Sequence, residues 1–238
     1  MKIIHIHSVK IVQLLGVIAI LLTISSIAGQ FVVYKLHHPR ALGIPDIFYL
    51  DNEYNIPSYF SAFILGLAAF LLGIIALSEK KGDGHFQKYW IFLAIIFLFF
   101  SIDEALSFHE KLSVPLRNLF GWDELVGWKR FFLFTWVVPG IVFSLLLIVS
   151  YLRFFYHLPR KLRFSFFIAA LLCISGAIGM ELVSSYYLKT YGSLNFTYAM
   201  IITFEEILEM SGTILFIHAL FNYINDKELT IQFDKEHH

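Results

Sequence analysis

Apolar residues run along this chain in long unbroken stretches, and polar residues either separate the stretches or interrupt them at a few recurring places. A helix needs about 20 mostly apolar residues to cross the hydrocarbon core of a bilayer. Six stretches reach that length: residues 11–28, 59–77, 90–108, 131–152, 164–188 and 196–223. In lipid only helices and closed barrels satisfy their own backbone hydrogen bonds, and barrel strands are shorter and alternate in polarity. The pattern therefore predicts an all-α, polytopic membrane bundle of six spans, with residues 1–238 forming one transmembrane domain.

The connections differ in kind. Residues 30–58 hold Asp46, Asp51, Glu53 and Pro57, whereas the loops at 78–89 and 153–163 are short and basic. Residues 109–130 place Leu112, Leu116, Leu119 and Phe120 at helical spacing, with Lys111, Arg117 and Asn118 off that stripe and Trp122 and Trp128 following. Such a segment reads as an amphipathic helix lying in the membrane interface. With the N-terminus inside, inner segments carry eleven Lys and Arg and outer segments seven. That bias favours cytoplasmic N- and C-termini and puts the long connections outside, where loops that cover a site are expected. Lys2 and Lys10 ahead of an apolar run ending Ser26-Ile27-Ala28 also fit a signal peptide, but the run is longer than such segments usually are, so a retained first span is expected.

Composition narrows the class further. Hydrophobic residues make up 58% of the chain and charged residues only 15%, against about 25% in a soluble domain, and the mean hydropathy is +0.71. A water-soluble globule, a disordered chain and a collagen are excluded. Eighteen basic residues balance eighteen acidic ones, so no net field recruits nucleic acid. Membrane lipid is the expected partner. Cys173 is the single cysteine, which leaves no internal disulfide framework and no thiolate zinc site.

The chemistry lies in polar groups that interrupt the apolar runs: Asp103, Glu104, His109 and Glu110 at the end of the third, Glu181 in the fifth, and Glu205, Glu206 and Glu209 in the sixth. A charge at a helix centre costs at least ~2.5–3.5 kcal/mol, so these groups must pair, protonate, bind a cation or meet water. At 1.5 Å per residue, Asp103, Glu181 and Glu205 each fall roughly 7 Å to the outer side of their span midpoints. Asp103, Ser107 and Glu110 share one helical stripe, and Glu205, Glu209 and Gly212 share another. Ala169, Cys173, Ala177 and Glu181 follow at steps of four, and small residues of this kind let a neighbouring helix approach. In a regular helix Glu104 and His109 point about 100° or more away from Asp103, unless a π-bulge or a helix end re-aims them. His218 reads as a packed or interfacial residue.

Three readings stay open for the cluster. A polar plug would hold the helices in register. A metal site would use Asp103, Glu110, Glu181, Glu205 and Glu209 as oxygen ligands and His109 as a nitrogen ligand. That donor set suits iron, manganese or zinc, and magnesium or calcium if His109 is not a ligand. A proton or cation path is the third. The echo of Ser101-Ile-Asp103-Glu104-Ala-Leu106 in Thr203-Phe-Glu205-Glu206-Ile-Leu208, on helices that run in opposite directions, is what an inverted repeat of a transporter would give. No Glu-x-x-His pair, His-Glu-x-x-His motif or phosphate-binding loop is present.

The segment Ser101-Ile-Asp103-Glu104-Ala-Leu-Ser-Phe-His109-Glu110, together with Glu205-Glu206-Ile-Leu-Glu209-Met-Ser-Gly212, resembles a group of bacterial multi-pass membrane proteins to which no activity is assigned. The resemblance implies a protein of the bacterial plasma membrane and supplies no mechanism. The expectation carried forward is a metal-dependent membrane enzyme acting on a lipid-like or small amphiphilic substrate, with His109 and Glu110 as catalytic groups. A proton- or cation-coupled transporter and a non-catalytic assembly factor are its alternatives.

Overall fold

A computed structural model describes residues 8–38, 43–79, 86–122, 124–193 and 195–227, and every regular element among them is helical. In chain order these are α1 (Ser8–Tyr34), α2 (Ile44–Phe48), α3 (Ile56–Glu79), α4 (Gln87–Leu106), α5 (Phe108–Leu119), a 3-10 turn (Gly127–Phe132), α6 (Val137–His157), α7 (Arg160–Ile174), a π-helical turn (Ser175–Met180), α8 (Glu181–Tyr191) and α9 (Phe196–Asp226). Lys2, Arg40, Lys80, Lys81 and Lys235, used in the loop-charge argument, lie outside the described residues.

Five helices are long and apolar enough to cross a membrane: Val9–Tyr34, Ile56–Glu79, Gln87–Leu106, Val137–His157 and the composite Arg160–Tyr191. Their length and apolarity mark a membrane protein. The stretch expected as a sixth span is α9, which is not among these five and is buried in the bundle to about the same extent as α3. Fourteen of its thirty-one residues are buried, whereas α6 buries only Val137 and Phe154. α9 is the axis of the bundle, packed against α1, α3, α7 and α8.

Several boundaries depart from the hydropathy reading for local reasons. The fourth expected span was to begin at residue 131, but α6 starts at Val137. Pro139 sits in its first turn, where a missing N–H is harmless; farther into a helix its ring would clash with the carbonyl four residues back. The third span was expected to reach residue 108, but α4 stops at Leu106 because Ser107 takes a left-handed conformation, φ 52° and ψ 46°. α5 covers the first part of the segment 109–130 expected to be amphipathic, with Leu112, Val114 and Leu119 exposed.

Packing follows the small residues. α3 and α4 make the most extensive helix pair. Ser101 Oγ donates to the Ala62 carbonyl at 2.7 Å, and a Cβ on Gly66 would stand 3.1 Å from that same hydroxyl. Where α7 meets α9, a Cβ on Gly212 would come within 2.9 Å of the Ala169 carbonyl and the Cys173 amide nitrogen. Gly212 is required there by backbone proximity. The end of the bundle away from α5 is filled by aromatics: the Trp90 ring is 1% exposed and packs against Phe154, Phe166 and Tyr223.

Candidate functional site

The left-handed Ser107 changes where the third polar stretch points. Its N–H still donates to the Asp103 carbonyl at 2.6 Å, so α4 closes normally, but the chain leaves at a new angle into α5. His109, which a continuous helix would aim elsewhere, comes back onto Asp103. Its backbone N–H donates to Asp103 Oδ1 at 3.0 Å, and its ring Nδ1 lies 2.7 Å from Asp103 Oδ2. One carboxylate thus fixes both the backbone and the ring of His109. The expected Asp103, Ser107, Glu110 stripe is corrected accordingly, since the helix breaks at its middle residue. Ser107 Oγ instead donates to Glu53 Oε2, tying the helix break to the connection between α2 and α3. Lys111 Nζ caps the α4 C-terminus through the Leu106 carbonyl at 2.6 Å, a favourable place for a cation.

The fifth polar stretch is re-aimed by a second irregularity. The π-helical turn at Ser175–Met180 inserts extra chain into the α7–α8 helix, so Ala169 and Cys173 do not share a face with Ala177 and Glu181 at simple steps of four. Gly176 takes the packing position instead, where a Cβ would stand 2.6 Å from Glu209 Cγ and 3.0 Å from the Glu205 carbonyl oxygen. Glu181 then opens α8 and accepts a hydrogen bond from Trp136 Nε1 at 3.2 Å. The Trp136 ring meets the His109 ring edge-on, centroids 4.8 Å apart.

These elements enclose one cavity of about 280 Å³. Its walls hold Asp103, Glu104, His109 and Glu110 from α4 and α5, Glu181 from α8, and Glu205, Glu206 and Glu209 from α9. All six residues proposed from sequence as ligands or catalytic groups line it. The sequence reading missed two further acids, Asp51 and Glu53, which enter from the α2–α3 connection; a polar stretch with three acids and no base between residues 46 and 58 was the available signal. Glu104 joins despite its angle on α4 because the cavity is wide enough to be lined from several directions. Among the described residues, nine carboxyl groups and one imidazole line the cavity, and no Lys or Arg does. Glu205 is 6% exposed, and its Oε2 finds no hydrogen-bond partner. His218 lies away from this site, 3.1 Å from Asn222 through Nε2, as a packed histidine.

Among the described residues, no three His, Cys, Asp or Glu side chains stand close enough to hold one ion together. The acids are spread round the walls rather than converged on a point. Around the mouth, outside the spans, proton affinity is raised. Burial lifts Asp51 to about 6. Burial, then the charge of Glu53, lifts Glu110 to about 7. For His109 burial opposes the charged ring, but the Asp103 hydrogen bond and the surrounding carboxylates outweigh it and raise the imidazole to about 9.

Residues 14–224 match the model of a family described as a domain of unknown function, DUF8692. The chain belongs to this family. The matched region takes in every residue lining the cavity. No curated protein and no solved structure matches the chain.

Proposed function

We propose that the protein is a metal-dependent membrane enzyme whose acidic cavity holds a divalent cation and works on an amphiphilic substrate. One observation carries this reading: nine carboxyl groups and a histidine line one cavity and, among the described residues, no Lys or Arg lines it to balance them. The unpartnered Glu205 Oε2 is the sharpest expression of that imbalance, because an unsatisfied buried oxygen is costly. The pairing of His109 Nδ1 with Asp103 supports it too. Histidines that bind metals commonly donate their other ring nitrogen to a carboxylate, which fixes the tautomer and the ring. His109 Nε2 is then the nitrogen that would take an ion, on giving up the proton that the acidic surroundings hold on the ring.

The donor chemistry fits iron, manganese or zinc, with Glu181, Glu205 and Glu209 on one wall and Asp103, His109 and Glu110 on the other. Since no three of these converge as they stand, holding an ion requires carboxylate side chains to swing inward from the walls. A bound cation would act as a Lewis acid or redox centre. Glu110, raised to about 7 at the mouth, is suited to pass protons between the cavity and its surroundings.

Elemental analysis of protein purified without chelators is the test. Stoichiometric iron, manganese or zinc is expected in the wild type and loss of it in Glu209→Gln; monodisperse protein that carries no metal after incubation with each ion would overturn the reading. The spread of the acids round the cavity favours a second reading, a proton or cation path through the bundle. It predicts gradient-driven cation uptake in proteoliposomes, abolished by Asp103→Asn or Glu205→Gln.

A further inference from the structure

The cavity has one thin wall. α6 supplies it with Trp136, Gly140, Phe143 and Ser144, which lie on one helical face at the N-terminal end of α6. α6 is sparsely enclosed, burying only Val137 and Phe154 of its own residues, as α4 buries only Trp90 and Ile96. Gly140 offers no side chain, and the Trp136 ring covers it closely enough that a Cβ would come within 3.1 Å. Along the neighbouring face of α6 runs an apolar groove lined by Leu116, Phe120, Val138, Val142, Phe143 and Leu146. Phe143 belongs to both. Its ring meets Phe100 edge-on at 6.2 Å, and Phe100 also lines the cavity, so this pair of rings is the sill between acid cavity and apolar groove.

We propose that the groove seats an acyl chain of a membrane lipid whose polar head reaches the carboxylates past Phe143. The inference rests on the cavity being the reaction site and names the substrate class for it. The groove suits a chain and nothing polar: from Val138 to Leu146 it follows α6 for about 12 Å, with Val142 and Leu146 exposed and no charged side chain in its lining. Asn52 and Glu53, which line the cavity, also line a surface recess of mixed character with Asp46, Ile47, Asn55 and Ile56. An acidic cavity that shares Phe143 with an uncharged groove fits a substrate that is itself half apolar.

The experiment is photolabelling of the full chain, reconstituted in phosphatidylcholine vesicles, with a palmitoyl lysophospholipid carrying a mid-chain diazirine. Adducts are mapped by peptide mass spectrometry. Labelling of Val142, Phe143 and Leu146 is expected to exceed that of Phe70 and Leu77, which are more exposed than any of the three, at least fivefold, and unlabelled lysophospholipid should compete it away at the groove only. Val142→Trp and Leu146→Trp, both at exposed positions, should each cut groove labelling at least fivefold and leave metal content unchanged. Labelling that follows exposure alone, or is not competed, overturns the groove as a lipid seat while leaving the metal reading to its own measurement. Groove labelling in protein that binds no metal keeps the lipid seat and removes the metal-dependent reading.

Discussion

The two ends of this bundle are built from the same helices and solve opposite problems. α3, α4 and α9 run through both. At the far end Trp90, Phe154, Phe166 and Tyr223 interlock, and the Glu79 carboxylate accepts from the Tyr223 hydroxyl at 2.9 Å. At the α5 end the same helices stand around a cavity lined by nine carboxyl groups, one of which has an oxygen without a partner. Protein interiors pack to the density of organic crystals, and the far end shows that this chain can do so. The polar cavity is therefore a local feature of one end, and the irregularities that shape it, Ser107 and the π-helical turn, occur at that end alone among the described residues of the long helices.

The strongest way to break the comparison is to exchange the consequences of mutation at the two ends. Trp90→Ala removes a ring that is 1% exposed and should destabilise the fold by about 3–5 kcal/mol. Metal content of the protein that remains folded should be unchanged. Glu209→Gln should do the reverse: its melting temperature in detergent holds or rises, because a buried carboxyl group is replaced by a neutral isostere, while metal content falls at least tenfold. If Glu209→Gln melts as early as Trp90→Ala, the acids are packing elements and the cavity has no separate role.

Gly176→Ala comes next in size. Its new Cβ would meet the Glu209 side chain and the backbone oxygen of Glu205, so either α9 or the π-helical turn must shift. A loss of about 1–3 kcal/mol is expected for overpacking of this kind. Gly73→Ala, where a Cβ meets nothing within 4 Å, is the control and should cost nothing measurable.

How much of this was legible beforehand divides along the same line. Hydropathy alone located every long helix, because a run of apolar residues reports burial in lipid whatever its neighbours do. Gly212, on the stripe of Glu205 and Glu209, likewise marked a real contact. What hydropathy could not carry was direction. A helical wheel assumes constant pitch, and the two places where pitch fails are those that aim His109 and Glu181. Ser107 has no glycine to announce its left-handed backbone, and the π-helical turn leaves no compositional mark. Asp51 and Glu53 were missed for another reason: they reach the cavity from a connection whose path depends on tertiary contacts such as Leu50 N–H to Ser26 Oγ at 3.3 Å.

Protonation gives a third, smaller test of the acidic end. In chelator-washed protein, Asp51 rises from 3.8 to about 6, Glu110 from 4.5 to about 7 and His109 from 6.5 to about 9 on folding. Each group binds its proton more tightly folded than unfolded, so each makes stability fall as pH rises between its two values. Stability should therefore decline continuously from about pH 4 to about pH 9. Asp103→Asn removes the bond that holds His109 charged, so the imidazole resonances should titrate lower than in the wild type and the decline should end earlier. A stability profile that rises across this range would mean that these groups are not enclosed as described.

The finest distinction concerns Ser107. A non-glycine residue in the left-handed region costs roughly 1–2 kcal/mol, and the Ser107 hydroxyl offsets this by donating to Glu53, a bond to a carboxylate being worth about 1.5–3 kcal/mol. Ser107→Ala keeps the strain and loses the bond; Ser107→Gly loses both. The alanine variant should therefore be less stable than the glycine variant by about 1 kcal/mol, with the wild type within about 1 kcal/mol of the glycine variant. Equal stability of the two variants would mean that the helix break carries no strain. The glycine variant should also loosen the hold of the α2–α3 connection on the cavity, read as faster hydrogen exchange at residues 50–55 with His109 still held by Asp103. That outcome would separate the two jobs meeting at this turn: Asp103 orients the histidine, and Ser107 fastens the acidic connection over it.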